Sequence, residues 1–525
     1  MHLGMSKSKN STSLYVLKST YSNGFHSTKI VEKLGTVEEL QKKLNGEDPI
    51  AWAKKHIEEM NRLEKEERRE VTEKYSPVKQ IEKNEQRTFN GGYLFLQQVY
   101  NTLGFPQLCK DIQRRHHLNY NLDAILSRMI YSRLIYPDAG MPLYDASRLF
   151  IEQPDFTPRQ IIRATEVLAE EADRIQETAY ANTRRIFGHS TSTLYFDATT
   201  CLYEAGTIKG RQLPVIPMDL YFDGNFMPIC YSINPEHLKE VPQTRLEKQL
   251  RDAFRTSQAI SFTDSGIVSG ASTTFKDWGI PNGYIMRLNY DNMRDEEKRA
   301  AQDPTGWSRS DTAGLFDLSK LRKESEITNP SRFYYKEMQV RAPGGLRRVI
   351  ITYSNHYGTI ERLERELNML RGGDPLLFQQ PANMPSYADG IAVYVTNTEI
   401  PAKDIIKMED TRSNAHNIFR ILSMEIPDNT DGIPLSDEIQ AHFITCFCTL
   451  TVVSALVKRL DMFGRSGEVL EQLRRMNFMK IQSEGYVPLY TRTDLTDLLH
   501  DNAGFRTDHQ IISKRQMDKI LKARV

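Results

Sequence analysis

Two aspartates stand where a carboxylate is costly. Asp197 lies inside the apolar run TLYFDATT, and Asp264 closes the run AISFTD. A charge within a buried strand is destabilising unless it is paired or holds a metal. Gly266 lets the loop after Asp264 turn tightly. Strand-end aspartates in an α/β core are frequent functional positions. The plainer alternative is that each one starts a turn or caps a helix. Finding them as a pair on two strands brings the two readings level. A second group with ligand chemistry is His442, Cys446 and Cys448. These residue types suit zinc, but they sit in the apolar run AHFITCFCTLTVVSALV. There Cys reads as a small core hydrophobe.

The surrounding elements can be read from periodicity. Residues 13–35 hold two β-prone runs around Ser22-Asn23-Gly24, a hairpin signal. Residues 51–75 form a charged run with i,i+4 ion-pair spacing, which predicts a solvated helix. From about 90 to 188 the apolar spacing is helical, with Arg114, Arg115, His116 and His117 as a compact basic spot. At 193 the character changes. TLYFDATTCLYEA, LPVIPMDLYFD and FMPICYSINP read as strands, followed by the helical RLEKQLRDAF and the strand AISFTD. This order predicts an α/β core. RFYYKEMQV and RRVIITYSNHY alternate like strands within a β-rich insertion, and IAVYVTN returns as a strong strand. The tail from 465 reads as helical with a loop, SEGYVPLYTRTD.

Bulk properties bound these readings loosely. A chain of 525 residues exceeds one ordinary core. Lys+Arg is 69 and Asp+Glu is 68, so any nucleic-acid binding must come from local patches. Cys109, Cys201, Cys230, Cys446 and Cys448 include no CxxC pair and predict no disulfide framework. The run 441–457 is short for a bilayer span and reads as a buried helix, so no membrane partner is expected. MHLGMSKSKNSTS lacks the apolar stretch of a signal peptide, which makes a cytoplasmic location the default expectation.

Taken in order, several segments resemble insertion-sequence DNA transposases of the D-D-E type. TLYFDATTCLYEAG resembles the strand bearing their first aspartate, and FTDSGIVSG the motif of the second. DPTGW, YSNHY with its following helix, and DGIAVYVTN resemble the inserted region and the strand closing it. QAHFITCF resembles a late buried helix. LRRMNFMKIQSEGYVPLYTRTDLTDLLHDNAGFRTDHQII and QIEKNEQRTFNGGYLFLQQVY match the family's tail and front, so the similarity spans nearly the whole chain.

The resemblance implies an α/β fold: an RNase H-like mixed-sheet core interrupted by a β-rich insertion, with helical N- and C-terminal regions. The expected division is 1–80 hairpin and charged helix, 81–190 helical DNA-binding region, 191–284 first half of the core, 285–388 insertion, 389–460 second half, and 461–525 C-terminal region. It also implies two Mg²⁺ (or Mn²⁺) ions held by two aspartates and a glutamate, cutting at element ends and strand transfer into target DNA. The expected partners are double-stranded DNA, as element ends and target, and a second copy of the chain in a synaptic homodimer. The expected setting is the bacterial nucleoid.

At the third acidic position the chain departs from the family. Aligning the family's Tyr-Arg-Glu-Lys helix on Asn417-Ile418-Phe419-Arg420 places Glu409 at the Tyr and Arg412 at the Arg. Ser413 then falls at the Trp, His416 at the catalytic Glu and Ser423 at the Lys. Three readings stay open. His416 replaces the glutamate, as in RNase H-like nucleases with an Asp-Asp-His set, although imidazole favours softer ions than Mg²⁺. Alternatively Glu409 serves, on the same helix face but about 10.5 Å earlier in rise. In the third reading catalysis is lost, leaving a domesticated DNA-binding protein with a regulatory or architectural role. Glu240, in NPEHLKE, stands near an acidic position of the family; a solvated helix-start carboxylate is the equal alternative.

Overall fold

The computed structural model describes residues 1–522 except 9–10, 23–24, 45–46, 68–70, 72–75, 138–140, 190–192, 202–215, 234–259, 265–282, 289–292, 322–331, 343–344, 356, 360–361, 363–388, 410–434, 463–464 and 482–483. The chain divides into two units, Met1–Glu85 and Gln86–Val525.

In the first unit β1 (His2–Lys7), β2 (Thr12–Ser22) and β3 (Phe25–Thr36) form an antiparallel meander. Helices α1 (Val37–Lys43) and α2 (Pro49–Glu67) follow. Thr36 starts α1 through a capping box with Glu39, satisfying two backbone donors at the helix end. Leu14, Leu40 and Ala53 make the small core. Lys18 Nζ ties β2 to Glu64 of α2 at 2.7 Å.

The second unit opens with β4 (Thr88–Asn90) and six helices: α3 (Tyr93–Thr102), α4 (Phe105–Arg115), α5 (Leu122–Ile135), α6 (Leu143–Ser147), α7 (Pro158–Glu170) and α8 (Ala172–Phe187). The strands that follow are β5 (Thr193–Cys201), β6 (Ile216–Asp223), β7 (Pro228–Ile233), β8 (Ile260–Asp264), β9 (Gly283–Leu288), β10 (Trp307–Arg309), β11 (Leu315–Phe316), β12 (Tyr334–Ala342), β13 (Gly345–Tyr353) and β14 (Ile391–Thr396). They form one ten-stranded sheet in the order β11-β10-β12-β13-β14-β9-β8-β5-β6-β7. β5, β8 and β9 are mutually parallel, and the remaining pairings are antiparallel. The strands read from the sequence as an insertion thus extend the same sheet, joined to β9 through β14.

Side-chain alternation gives this sheet two buried faces. Leu220, Phe222, Phe262, Ile285, Ile350 and Tyr394 join the large core shared with the helices. Leu288, Val349, Ile351, Val393 and Val395 belong to a second cluster with Trp307 and Tyr334. The helix Leu435–Arg459 is the centre of the helical layer and packs on α3, α5, α7, α8 and β7. It is long and apolar enough to cross a membrane, yet 94% of its apolar window is buried within the protein. Tyr231 of β7 meets it: the ring lies against Phe443 and Phe447, and its hydroxyl accepts from Gln440 Nε2 at 2.9 Å.

The tail departs from the helical expectation. β15 (Asn477–Ile481), β16 (Gly485–Pro488) and β17 (Ile512–Ser513) join β4 in a four-stranded sheet of order β17-β16-β15-β4. Asn90 locks this junction, donating from Nδ2 to the carbonyls of Leu473 and Arg474 at 3.0 and 3.2 Å. Gly92 is required beside it, because a Cβ there would fall 2.0 Å from the Leu473 carbonyl oxygen. Taken together, the elements make a mixed α/β protein with both parallel and antiparallel strand pairs.

Candidate active site

The parallel strands at the centre of the sheet carry the two aspartates on adjacent strands, β5 and β8. β5 and β8 pair as Thr193↔Ile260, Leu194↔Ser261 and Tyr195↔Phe262. Continuing that register by two residues sets position 197 beside position 264. Asp264 in turn pairs with Arg287 of β9, and Asp197 with Leu220 of β6. The recorded pairs are Leu220 with Asp197, Asp264 with Arg287 and Arg287 with Tyr394; extending the β5–β8 register by two residues would join them into one row. Residues paired across neighbouring strands share a face. Leu220 and Tyr394 belong to the helix-facing core. Asp264 is the last residue of its strand, and Arg287 the last but one.

Arg287 links this row to a helix. Residues 402–409 are helical and follow β14 after a short connection. Ala402, Ile405 and Ile406 are buried at helical spacing and fix the orientation of the turn. Glu409 closes the described part of the helix, is 8% exposed, and accepts from Arg287 Nη1 at 3.3 Å. Of the sequence-derived site residues, Asp264 pairs with Arg287 and Glu409 bonds to it, while Asp197 stands on the strand next to that of Asp264. Arg412, His416 and Glu240 lie outside the described residues. Arg287 went unnoticed in the sequence, although the signal that marks Asp197, a charge inside an apolar strand, is present in YIMRL.

Among the described residues, two other groups carry ligand-type side chains. His442 Nε2 lies 3.5 Å from Cys446 Sγ, and Arg133 Nη2 donates to His442 Nδ1 at 3.2 Å. Burial pushes the thiols of Cys446 and Cys448 upward, in keeping with protonated core side chains. Asp497, His500 and Asp508, which sequence reading overlooked, bring donor atoms within 4.8 Å of one another. Arg506 donates to Asp497 at 2.5 Å and to Asp508 at 2.6 Å, so a guanidinium already supplies the countercharge. A metal ion there would have to displace it.

No protein-family model matches the chain. No curated protein matches it in sequence either.

Proposed function

We propose that this protein is a DNA transposase of the D-D-E insertion-sequence type, acting on duplex DNA as a homodimer in the bacterial cytoplasm. The observation that carries the proposal is that Asp197 and Asp264 lie on adjacent parallel strands, each two residues beyond the pair Tyr195↔Phe262. The sheet order adds support. β7-β6-β5 is an antiparallel meander, continued by β8 and β9 parallel to β5. That is the arrangement expected of an RNase H-like core.

The site suits a divalent cation. Neighbouring strands are about 4.8 Å apart, so two carboxylates in one row repel each other unless a positive charge intervenes. The one guanidinium in the row, Arg287, is shared with Glu409. Hard oxygen donors match Mg²⁺ or Mn²⁺, and Asp197 and Asp264 are the residues that would hold it. A bound pair of ions supplies activation of the attacking oxygen and stabilisation of the leaving one. The chain's own part is to fix the acids rigidly on central strands and to bring a third ligand from the segment that follows β14. His416 and Glu409 are the candidates for that ligand.

A second reading is a derivative that binds DNA without cutting it. It is favoured by His416 standing at the family's glutamate position and by the engagement of Glu409 with Arg287. Incubating the purified chain with the DNA flanking its own gene, in Mg²⁺ and in Mn²⁺, separates the two. The transposase nicks that DNA and Asp197→Asn does not; the derivative shifts it in a gel but leaves it intact in every buffer.

A further inference from the structure

The sheet of the first unit has one open edge. In the order β1-β2-β3, β3 is an outer strand of 12 residues, and no further strand pairs with it among the described residues. The opposite edge, β1, has six residues and packs against α2. Residues 27–33 of β3 are exposed throughout, Ile30 at 57% and Val31 at 44%. An edge strand offers backbone donors and acceptors to another strand, and exposed aliphatic side chains add to its tendency to pair.

An irregularity in β3 decides what fits this edge. Leu17 pairs with Ile30 and Val16 with Glu32, so the ladder passes over Val31. In a regular strand Lys29 and Glu32, three residues apart, point to opposite sides of the sheet. Here Lys29 pairs with Lys18 and Glu32 with Val16, and Lys18 and Val16 are two residues apart on β2. The extra residue therefore brings Lys29 and Glu32 to the same side. That side carries α2, since Lys18 Nζ reaches Glu64 and Glu32 Oε2 lies 3.1 Å from His56 Nε2. The Glu32 side chain is still 47% exposed. Ile30 lies on the other side, with Leu17.

We propose that β3 pairs antiparallel with β3 of a second copy of this chain, about a two-fold axis that passes between Ile30 and Val31. The strand is self-complementary about that point. The axis sets Lys29 opposite Glu32 of the second copy, and Glu32 opposite its Lys29. Ile30 then meets Val31 of the second copy, twice over, and these exposed aliphatic side chains leave water. Charges on an edge strand normally keep other strands away. In this register the opposite signs attract instead, and cross-strand pairs of this kind stabilise a sheet. This gives a surface to the homodimer of the proposed function, but it concerns association alone and stands whether or not the chain cuts DNA.

Sedimentation equilibrium of the full chain over a series of concentrations, without DNA, tests the proposal. The wild type associates to a dimer, and added salt weakens it because the ion pairs are exposed. Lys29→Glu alone, or Glu32→Lys alone, sets like charges opposite each other twice and weakens the dimer roughly tenfold. Combining the two changes reverses both pairs and restores the wild-type dissociation constant. That recovery, with a melting curve for each variant, separates lost association from lost folding. DNA nicking by the same variants is a separate readout, so the strand pairing can fail while the proposed activity survives. A wild type that stays monomeric at every concentration, single variants that dimerise as tightly as the wild type, or a double variant no tighter than the singles would each overturn the proposal.

Discussion

Arg287 decides what Glu409 is free to do. Its guanidinium lies in the row of Asp264 and reaches the Glu409 carboxylate, so the acid has a structural partner. Under the proposed activity, Glu409→Gln and His416→Ala separate the candidates for the third ligand. Loss of about 100-fold or more in nicking by one variant, with the other near wild type, identifies it; a plasmid-nicking time course makes the comparison. The ionisable cluster in the tail gives a prediction about pH. Burial lowers the His500 pKa, so the folded protein keeps it neutral while the unfolded chain takes up a proton below about 6.5. The stability it contributes is therefore present above that pH and lost as pH falls toward the lower folded value. Asp508, held at about 2 by Arg506, acts in the same sense at lower pH. Its contribution is full above the usual carboxylate range and disappears as pH falls toward 2. Denaturant midpoints at pH 7.5 and 5.5 should fall with acid in the wild type, and His500→Gln should flatten that slope.

Two side-chain ties fasten elements that the sequence alone left unconnected. His189 follows α8, and its Nδ1 lies 2.9 Å from Asp223 Oδ2 at the β6–β7 turn; both side chains are buried. Thr183 of α8 lies 3.0 Å from His189 Nε2. His189→Ala removes that contact while Asp223 Oδ1 keeps the N–H groups of Asn225 and Met227, and should cost about 1–2 kcal/mol in a denaturant titration. Gly92→Ala drives a methyl into the Leu473 carbonyl and should cost about 1–3 kcal/mol or more, with the four-stranded sheet losing amide protection first. The long strands of the central sheet were legible because TLYFDATT, AISFTD and IAVYVTN carry dense β-branched and aromatic residues. The strands of the tail were not. β15, β16 and β17 have five, four and two residues, and β15 pairs with β4 from the far end of the sequence. Local periodicity has no access to such a partner.

At the scale of the molecule, one sheet serves two cores. Leu220, Phe262, Ile285 and Tyr394 face the helical layer, and β10–β14 continue the same sheet. The composition of 285–388 marked it as β-rich, but which strand its members would join depends on pairings that no local pattern encodes. The aspartates were legible as costly charges; that β5 and β8 are adjacent and parallel was not, because that pairing joins distant segments. Contact density also separates Met1–Glu85 from Gln86–Val525, each with its own core. Residues 86–525 expressed alone should therefore melt in a cooperative transition close to that of the full chain, as calorimetry would record. The central claim, that Asp197 and Asp264 together hold a catalytic divalent ion, is tested most directly by Mn²⁺ binding followed by electron paramagnetic resonance. The account predicts that the wild type depletes the free Mn²⁺ signal and that Asp197→Asn and Asp264→Asn each restore it while remaining folded. Equal depletion by wild type and both variants would contradict it.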